Sequence, residues 1–244
     1  MSLSAGLERA IGLLDPARRP PAAPVVDGYL DLLGGDGTSG GRPAQRLMLT
    51  RALPAVYERW WRPAWGRVLM GPLGPGTEGE RRIAHDLLEL GPGDFVRDFA
   101  GAVGRRGLVV GLDASPTMLA RAVEDTRTAP NVAYLRGDAI RLPFRDGAFD
   151  AICCFAALHL FAEPLAALDA MARVLAPHGR LALLTSARAP LTPAPVGALI
   201  GVTTGLRVFG RDEITRALEE RGFEDVRRRV SGLAQFVGAR RAPA

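Results

Sequence analysis

Two short apolar runs, each ending in an aspartate, constrain the fold of this chain more than any other feature. One extends from Leu108 to Asp113 and the other from Asn131 to Asp138, and a segment of helical pattern separates them. Strands that alternate with helices predict a parallel sheet with right-handed crossovers. An aspartate just past the carboxyl end of a parallel strand can accept hydrogen bonds from a ligand that lies across the sheet edge. Two such aspartates, one helix apart, predict a nucleoside site.

The same alternation continues towards the carboxyl terminus. Strands are expected near residues 108–112, 131–136, 149–155 and 179–185, and helices near residues 116–128 and 164–176. The run from Ala151 to Phe155 is continuously apolar, which is typical of a strand covered on both faces. Two further strands, near residues 226–230 and 233–237, flank a Ser-Gly turn that signals a hairpin. The pattern predicts a mostly parallel sheet that an antiparallel hairpin closes.

The amino-terminal part of the chain differs in character. Residues 1–77 are predicted to form a helical cap, and residues 78–244 the α/β domain. A helical stretch at residues 44–70 contains all three tryptophans, Trp60, Trp61 and Trp65. These rings either cover a ligand cleft or pack the cap against the core domain, and the two arrangements are compatible.

Charge and cysteine usage limit the partners and the setting of the protein. All 31 basic residues are arginine, the net charge is +5, and the arginines are scattered along the chain. We therefore expect a solvated basic surface, and a nucleic-acid partner rests on the arginine content alone. No apolar run approaches the roughly 18 residues of a membrane span. Cys153 and Cys154 are adjacent, which disfavours a disulfide and favours a reducing, cytoplasmic setting.

Four motifs, in a fixed order, carry a family resemblance. The stretch Gly111-Leu112-Asp113-Ala114-Ser115-Pro116 resembles the second strand and helix of class I S-adenosylmethionine-dependent methyltransferases, of the type 11 or ubiquinone/menaquinone-biosynthesis kind. Gly137-Asp138-Ala139 resembles their third-strand motif, Phe149-Asp150 the start of the fourth strand, and residues 175–179 the turn into the fifth. The resemblance extends over about residues 78–238 and implies a Rossmann-like α/β fold.

The resemblance implies S-adenosylmethionine as the cofactor and gives each motif a role. Asp113 would bind both ribose hydroxyls, because a carboxylate offers two acceptor oxygens to two neighbouring donors. Asp138 and the backbone of Ala139 would meet the adenine amino group, and Leu119 would line the adenine together with Met118. The implied cofactor-binding residues are Asp113, Ala114, Met118, Gly137, Asp138, Ala139, Phe155 and Ala156.

Some of these side chains also have an ordinary structural interpretation. Asp113 and Asp138 can cap helices or turns, and Met118 can belong to the core. His159, which follows the fourth strand, is the only candidate for a catalytic base, and it can instead be a structural histidine. The spacing of histidine and cysteine predicts no metal site.

The leading hypothesis is methyl transfer from S-adenosylmethionine to a small-molecule acceptor. Catalysis would come mainly from proximity and orientation. The expected partner is a small molecule, with no nucleic acid and no membrane span, and the expected assembly is a homodimer. The alternative is a non-methylating member of the fold, either a cofactor-independent cyclase or a binding or scaffold protein.

That alternative rests on a gap before the second strand. In this family a first strand ends in a glycine-rich turn that lets the backbone approach the methionine part of the cofactor. If residues 96–104 are a degraded strand and turn, no room remains for the crossover of roughly a dozen residues that parallel neighbours need. If residues 97–103 are the tail of the first helix, which we prefer, Val109 and Cys153 lose their strand partners. Cofactor binding is then lost, or another segment or a second chain fills the gap.

Overall fold

The computed structural model describes residues 3–34, 95–188 and 206–243, together with Gly79, Arg82, Ile83 and Leu87. The prediction for the tryptophan-rich stretch at residues 44–70 therefore lies outside the described residues. The domain boundary after residue 77 likewise remains a prediction.

Strands and helices alternate as predicted, which confirms the α/β class. The strands are β1 Val25–Val26, β2 Tyr29–Asp31, β3 Val109–Asp113, β4 Val132–Arg136, β5 Phe149–Phe155, β6 Leu175–Ser186, β7 Phe223–Ser231 and β8 Ala234–Arg241. The helices are α1 Ala5–Leu13, α2 Phe95–Ala102, α3 Pro116–Asp125, α4 Pro164–Val174 and α5 Glu213–Glu219, with a 3₁₀ turn at Leu158–Leu160. Within the described ranges, no helix has the length and apolar character needed to cross a membrane.

The strands form two sheets of four, in the orders β1-β2-β4-β3 and β5-β6-β8-β7. The β3–β4 and β5–β6 pairs are parallel, and the carboxyl-terminal β7–β8 hairpin is antiparallel, as predicted. β3 and β5 are each an edge strand of their sheet. Among the described strands, Val109 pairs with Val132 of β4 and Cys153 pairs with Ala182 of β6. Each therefore has a strand partner on one side only, and the predicted loss is confirmed for the other side within the described part of the chain.

Helix α2 decides between the two alignments of the gap. It spans Phe95–Ala102, so residues 97–102 are helical, as the second alignment predicted, and do not form a strand. Val96 and Ala100 pack in a cluster with Tyr134 of β4. The Asn131 side-chain amide donates to the Ala100 carbonyl at 2.9 Å and fastens the end of α2 to the start of β4.

The amino-terminal segment contributes strands as well as a helix. Asp27 and Gly28 have φ of 46° and 84°, the left-handed pair that a two-residue hairpin turn requires. The second strand of this hairpin, β2, pairs in parallel with β4, so that Leu30 lies opposite Leu135 and Asp31 opposite Arg136. This hairpin was not predicted, and it extends the sheet beyond β4.

One main core lies beneath both sheets. Fully buried leucines from several elements meet there, including Leu135 of β4, Leu158 of the 3₁₀ turn, Leu168 of α4 and Leu183 of β6. β3 and β5 each contribute to this core. Parallel pairing places the carboxyl ends of β3 and β4 at one edge of their sheet, and those of β5 and β6 at one edge of the other.

Candidate functional site

Asp113, at the carboxyl end of β3, presents an exposed carboxylate with one oxygen already in use. Its Oδ1 accepts a hydrogen bond from the Ser115 amide at 2.7 Å. Loss of hydration near the surrounding protein raises the pKa of the Asp113 carboxyl, and hydrogen bonds from the Ser115 and Ala114 amides lower it.

Asp138, which follows β4, has a protein partner at each of its two carboxylate oxygens. Asp138 Oδ1 accepts a hydrogen bond from the Ile140 amide at 3.0 Å, and Oδ2 lies 3.5 Å from the Arg141 guanidinium. The Gly137 amide donates to the Asp113 carbonyl at 3.0 Å, which joins the two strand ends. Both aspartates therefore cap turns, as the structural interpretation predicted, and both also lie at neighbouring strand ends.

The other predicted adenosine-side residues divide between core and surface. Met118 and Ala139 are half-buried, so each keeps some surface for a ligand. Leu119 is only 2% exposed and belongs to a core cluster, so it is packed against protein and not left free as a wall. A Cβ on Gly137 would lie 2.9 Å from Leu112 Cδ1, so glycine at this position allows the close packing of the strand ends.

The turn after β5 is a corner held in a strained conformation. Ala156 has φ of 55°, a region that residues other than glycine seldom adopt, at a cost of about 1–3 kcal/mol. Its amide donates to the Leu184 carbonyl of β6 at 2.8 Å, which holds the corner in place. The preceding Phe155 packs edge-on against Phe236, with ring centroids 6.1 Å apart. These contacts hold Phe155 and Ala156, two of the residues that the resemblance implies for cofactor binding, in place.

His159 lies in the 3₁₀ turn beyond that corner. Its Nδ1 is 3.4 Å from the hydroxyl of Thr185, a residue that is 1% exposed, and its carbonyl accepts a hydrogen bond from the Arg207 amide at 2.9 Å. Burial lowers the pKa of His159 to about 4. The imidazole is therefore neutral at pH 7 and a weak base, which favours the structural interpretation.

The buried histidine should make stability depend on pH. The pKa of His159 is about 4 in the folded chain against an ordinary 6.5, so the folded state binds fewer protons between these values. The free energy of unfolding therefore has its full value above about pH 6.5. It should be about 3 kcal/mol lower at pH 4, because the unfolded chain takes up the proton more readily. The measurement is the free energy of unfolding in urea across this range.

Two asparagine variants isolate the effect. His159→Asn keeps an amide near Thr185 but cannot gain the proton, so the stability lost on acidification should shrink. His178→Asn, at an exposed histidine, should retain the wild-type pH dependence. Parallel curves for wild type and His159→Asn would contradict the assignment.

Two residues at this edge of the sheet were missed from the sequence. Arg136, the last residue of β4, pairs with Asp31 of β2 at 3.0 Å. Its Nε also donates to the Ala114 carbonyl, next to Asp113, at 3.1 Å. The sequence signal for this arrangement was the Asp27-Gly28 pair, which predicts the hairpin that brings Asp31 here.

The described residues fit the adenosine half of S-adenosylmethionine better than its methionine half. The accessible carboxylate of Asp113 suits a pair of neighbouring hydroxyl donors. On the methionine side, β3 pairs with β4 alone among the described strands, and β2, which Gly34 follows, lies at the far edge of β4. Gly101 lies within α2, and Gly104 lies in the turn that follows it.

Part of the chain matches a known protein family. Residues 88–183 match a family described as a methyltransferase domain. A demethylmenaquinone methyltransferase of Beutenbergia cavernae is 37% identical over 129 residues, covering 50% of this chain and 52% of that relative. One of Staphylococcus aureus is 32% identical over 160 residues, covering 56% of this chain and 66% of that relative. The chain thus spans about half to two thirds of the length of these curated relatives.

Two solved structures resemble most of the chain. The crystal structure of the [4+2]-cyclase SpnF has a TM-score of 0.62 at 16% identity, covering 85% of this chain and 99% of that one. A Thermotoga maritima structure, described as a SAM-dependent methyltransferase, has a TM-score of 0.52 at 18% identity, covering 80% of this chain and 98% of that one. At such identities the likeness shows the fold alone.

Proposed function

Because residues 88–183 belong to the family of class I S-adenosylmethionine-dependent methyltransferase domains, we propose that the chain transfers a methyl group from S-adenosylmethionine to a small-molecule acceptor. The observation that supports this most is the placement of Asp113 beside Arg136 and the Gly137-Asp138 turn, at the ends of two parallel strands. The likeness to curated relatives adds to it.

The residues of the chain would bind and orient both reactants. Asp113 would accept hydrogen bonds from the two ribose hydroxyls, and Asp138 with the Ala139 backbone would bind the adenine amino group. Phe155 and Ala156 would contact the methionine portion. Bound S-adenosylmethionine supplies an activated methyl group. His159 receives a proton from the acceptor at most weakly, because its pKa of about 4 makes it a poor base at pH 7.

The acceptor class follows from weaker observations. Both curated relatives are named for demethylmenaquinone, which supports an apolar ring compound as the acceptor. The three tryptophans of residues 44–70 are consistent with such a compound. We therefore place a small aromatic or quinone-like acceptor first among the candidates.

A second candidate function is a non-methylating activity on the same fold, such as a cyclisation or ligand binding without methyl transfer. The separation of β3 from β5 favours it, because the strand that carries the glycine-rich turn in the family belongs between them. In that case the chain would keep the residues that resemble an adenosine site, and the methionine part of the cofactor would not bind.

Calorimetry with S-adenosylmethionine distinguishes the two functions. The proposed function predicts saturable binding to one site per chain and transfer of labelled methyl to a demethylmenaquinone analogue. A second chain, with a strand and glycine-rich turn inserted before Phe95, where α2 begins, serves as the comparison. Absence of binding to the unaltered chain, together with binding to the chain with the insertion, would overturn the proposal and support the second candidate.

A further inference from the structure

A half-buried ion pair connects the amino-terminal hairpin to the β3–β4 edge. Arg136 Nη1 lies 3.0 Å from Asp31 Oδ2, and the two side chains are 16% and 11% exposed. Asp31 Oδ1 accepts hydrogen bonds from the amides of Leu33 and Gly34, each at 3.0 Å. The carboxylate therefore orders the turn after β2 with one oxygen and holds the guanidinium with the other.

The same guanidinium also contacts Ala114, the residue after Asp113 at the end of β3. Arg136 Nε donates to the Ala114 carbonyl at 3.1 Å, and Nη1 donates to the Gly34 carbonyl at 2.8 Å. Since Arg136 is the register partner of Asp113 and also of Asp31, one side chain connects the ends of three neighbouring strands. A planar guanidinium with several fixed donors suits this connection better than an ammonium group.

We propose that Asp31 and Arg136 are positioning residues for the Asp113 carboxylate. This inference rests on the proposed function, in which Asp113 binds the ribose. By holding the Ala114 carbonyl, the guanidinium limits rotation of the Ala114–Ser115 peptide, whose N–H donates to Asp113 Oδ1, and so fixes the direction of the carboxylate. Residues 25–34 lie outside the matched methyltransferase domain at 88–183, so the amino-terminal hairpin completes the cofactor site from outside that domain.

The test uses Asp31→Asn and Arg136→Gln, with Arg9→Gln as the matched control. Arg9 also joins the amino-terminal segment to backbone beside β3, because it donates to the Gly107 and Arg106 carbonyls at 2.9 and 2.7 Å. Its contacts lie at the opposite end of β3 from Asp113. Asparagine at position 31 keeps the oxygen that accepts from the turn amides and removes the charge.

Two readouts on the full chain separate positioning from general stability. Dissociation constants for S-adenosylmethionine should rise about tenfold in Asp31→Asn and Arg136→Gln and stay within about twofold in Arg9→Gln. Amide hydrogen exchange at Ser115, measured without ligand, should accelerate in the first two variants only. Unchanged exchange in both, or an equal rise in all three, would overturn the inference. If the unaltered chain binds no cofactor, the proposed function fails, and exchange at Ser115 still decides the positioning role.

Discussion

Replacing Asp113 by alanine is expected to weaken S-adenosylmethionine binding by about 100-fold or more, because hydrogen bonds to a charged acceptor contribute about 1.5–3 kcal/mol each and two ribose hydroxyls are involved. Asp113→Asn should retain the turn with Ser115 and lose an intermediate amount, since one acceptor oxygen becomes a donor. The measurement is calorimetric titration of each variant at pH 7.

Asp15→Ala provides the matched control. Asp15 Oδ1 accepts a hydrogen bond from the Ala17 amide at 2.9 Å, the same kind of turn that Asp113 makes. Its own amide donates to Pro143, ahead of β5 and away from the strand ends that form the site. Affinity should stay within about twofold of wild type, because only the local turn and the ion pair with Arg18 are lost. Equal losses in Asp15→Ala and Asp113→Ala would show that Asp113 acts through the fold and does not contact the cofactor.

The largest stability effect is expected at Phe209. Its side chain is fully buried, and the Arg207 guanidinium lies 5.1 Å from the ring centroid. Truncation to alanine should lower the free energy of unfolding by about 3–5 kcal/mol, through lost burial and the cavity that remains. The segment also supports the site, because the Arg207 amide donates to the His159 carbonyl. Urea denaturation gives the energy, and amide exchange in the 3₁₀ turn shows whether the site loosens.

Leu165→Ala is the comparison for that variant. Leu165 is 37% exposed at the start of α4, so its truncation should change the free energy of unfolding by less than about 1 kcal/mol. A loss below about 1 kcal/mol in Phe209→Ala would contradict the packing described around residues 206–210.

The central elements were predictable because their signals are local. β5 was predicted at residues 149–155 and observed at Phe149–Phe155, and a continuous apolar run marks such a strand. α3 begins where Ser115 and Pro116 indicated, with the Ser115 hydroxyl accepting from the Met118 amide. Asp113 and Asp138 followed from the same reasoning, since strand ends and helix starts are readable in short windows.

The differences arise where distant segments meet. β6 begins at Leu175, before the predicted residue 179, because Leu175 pairs with Phe149 ahead of a register shift. The next pair is Arg180 with Ala151, so the extra residues at this shift lie in β6. The amino-terminal hairpin has one strand of two residues, too short for a periodic pattern, although its Asp-Gly turn was visible. The Asp31–Arg136 pair could not be predicted, because no local pattern reports that β2 adds to the far edge of β4.

That pairing also bears on how the protein folds during synthesis. Asp31 and Arg136 are 105 residues apart in sequence, so the chain must close a long loop before the two side chains meet. Contacts of such high sequence separation form slowly, and the amino-terminal segment emerges from the ribosome first. β2 of the hairpin therefore has no parallel partner strand until β4 has been synthesised. The β2–β4 edge of the candidate site is therefore assembled after most of the residues of that site have been synthesised.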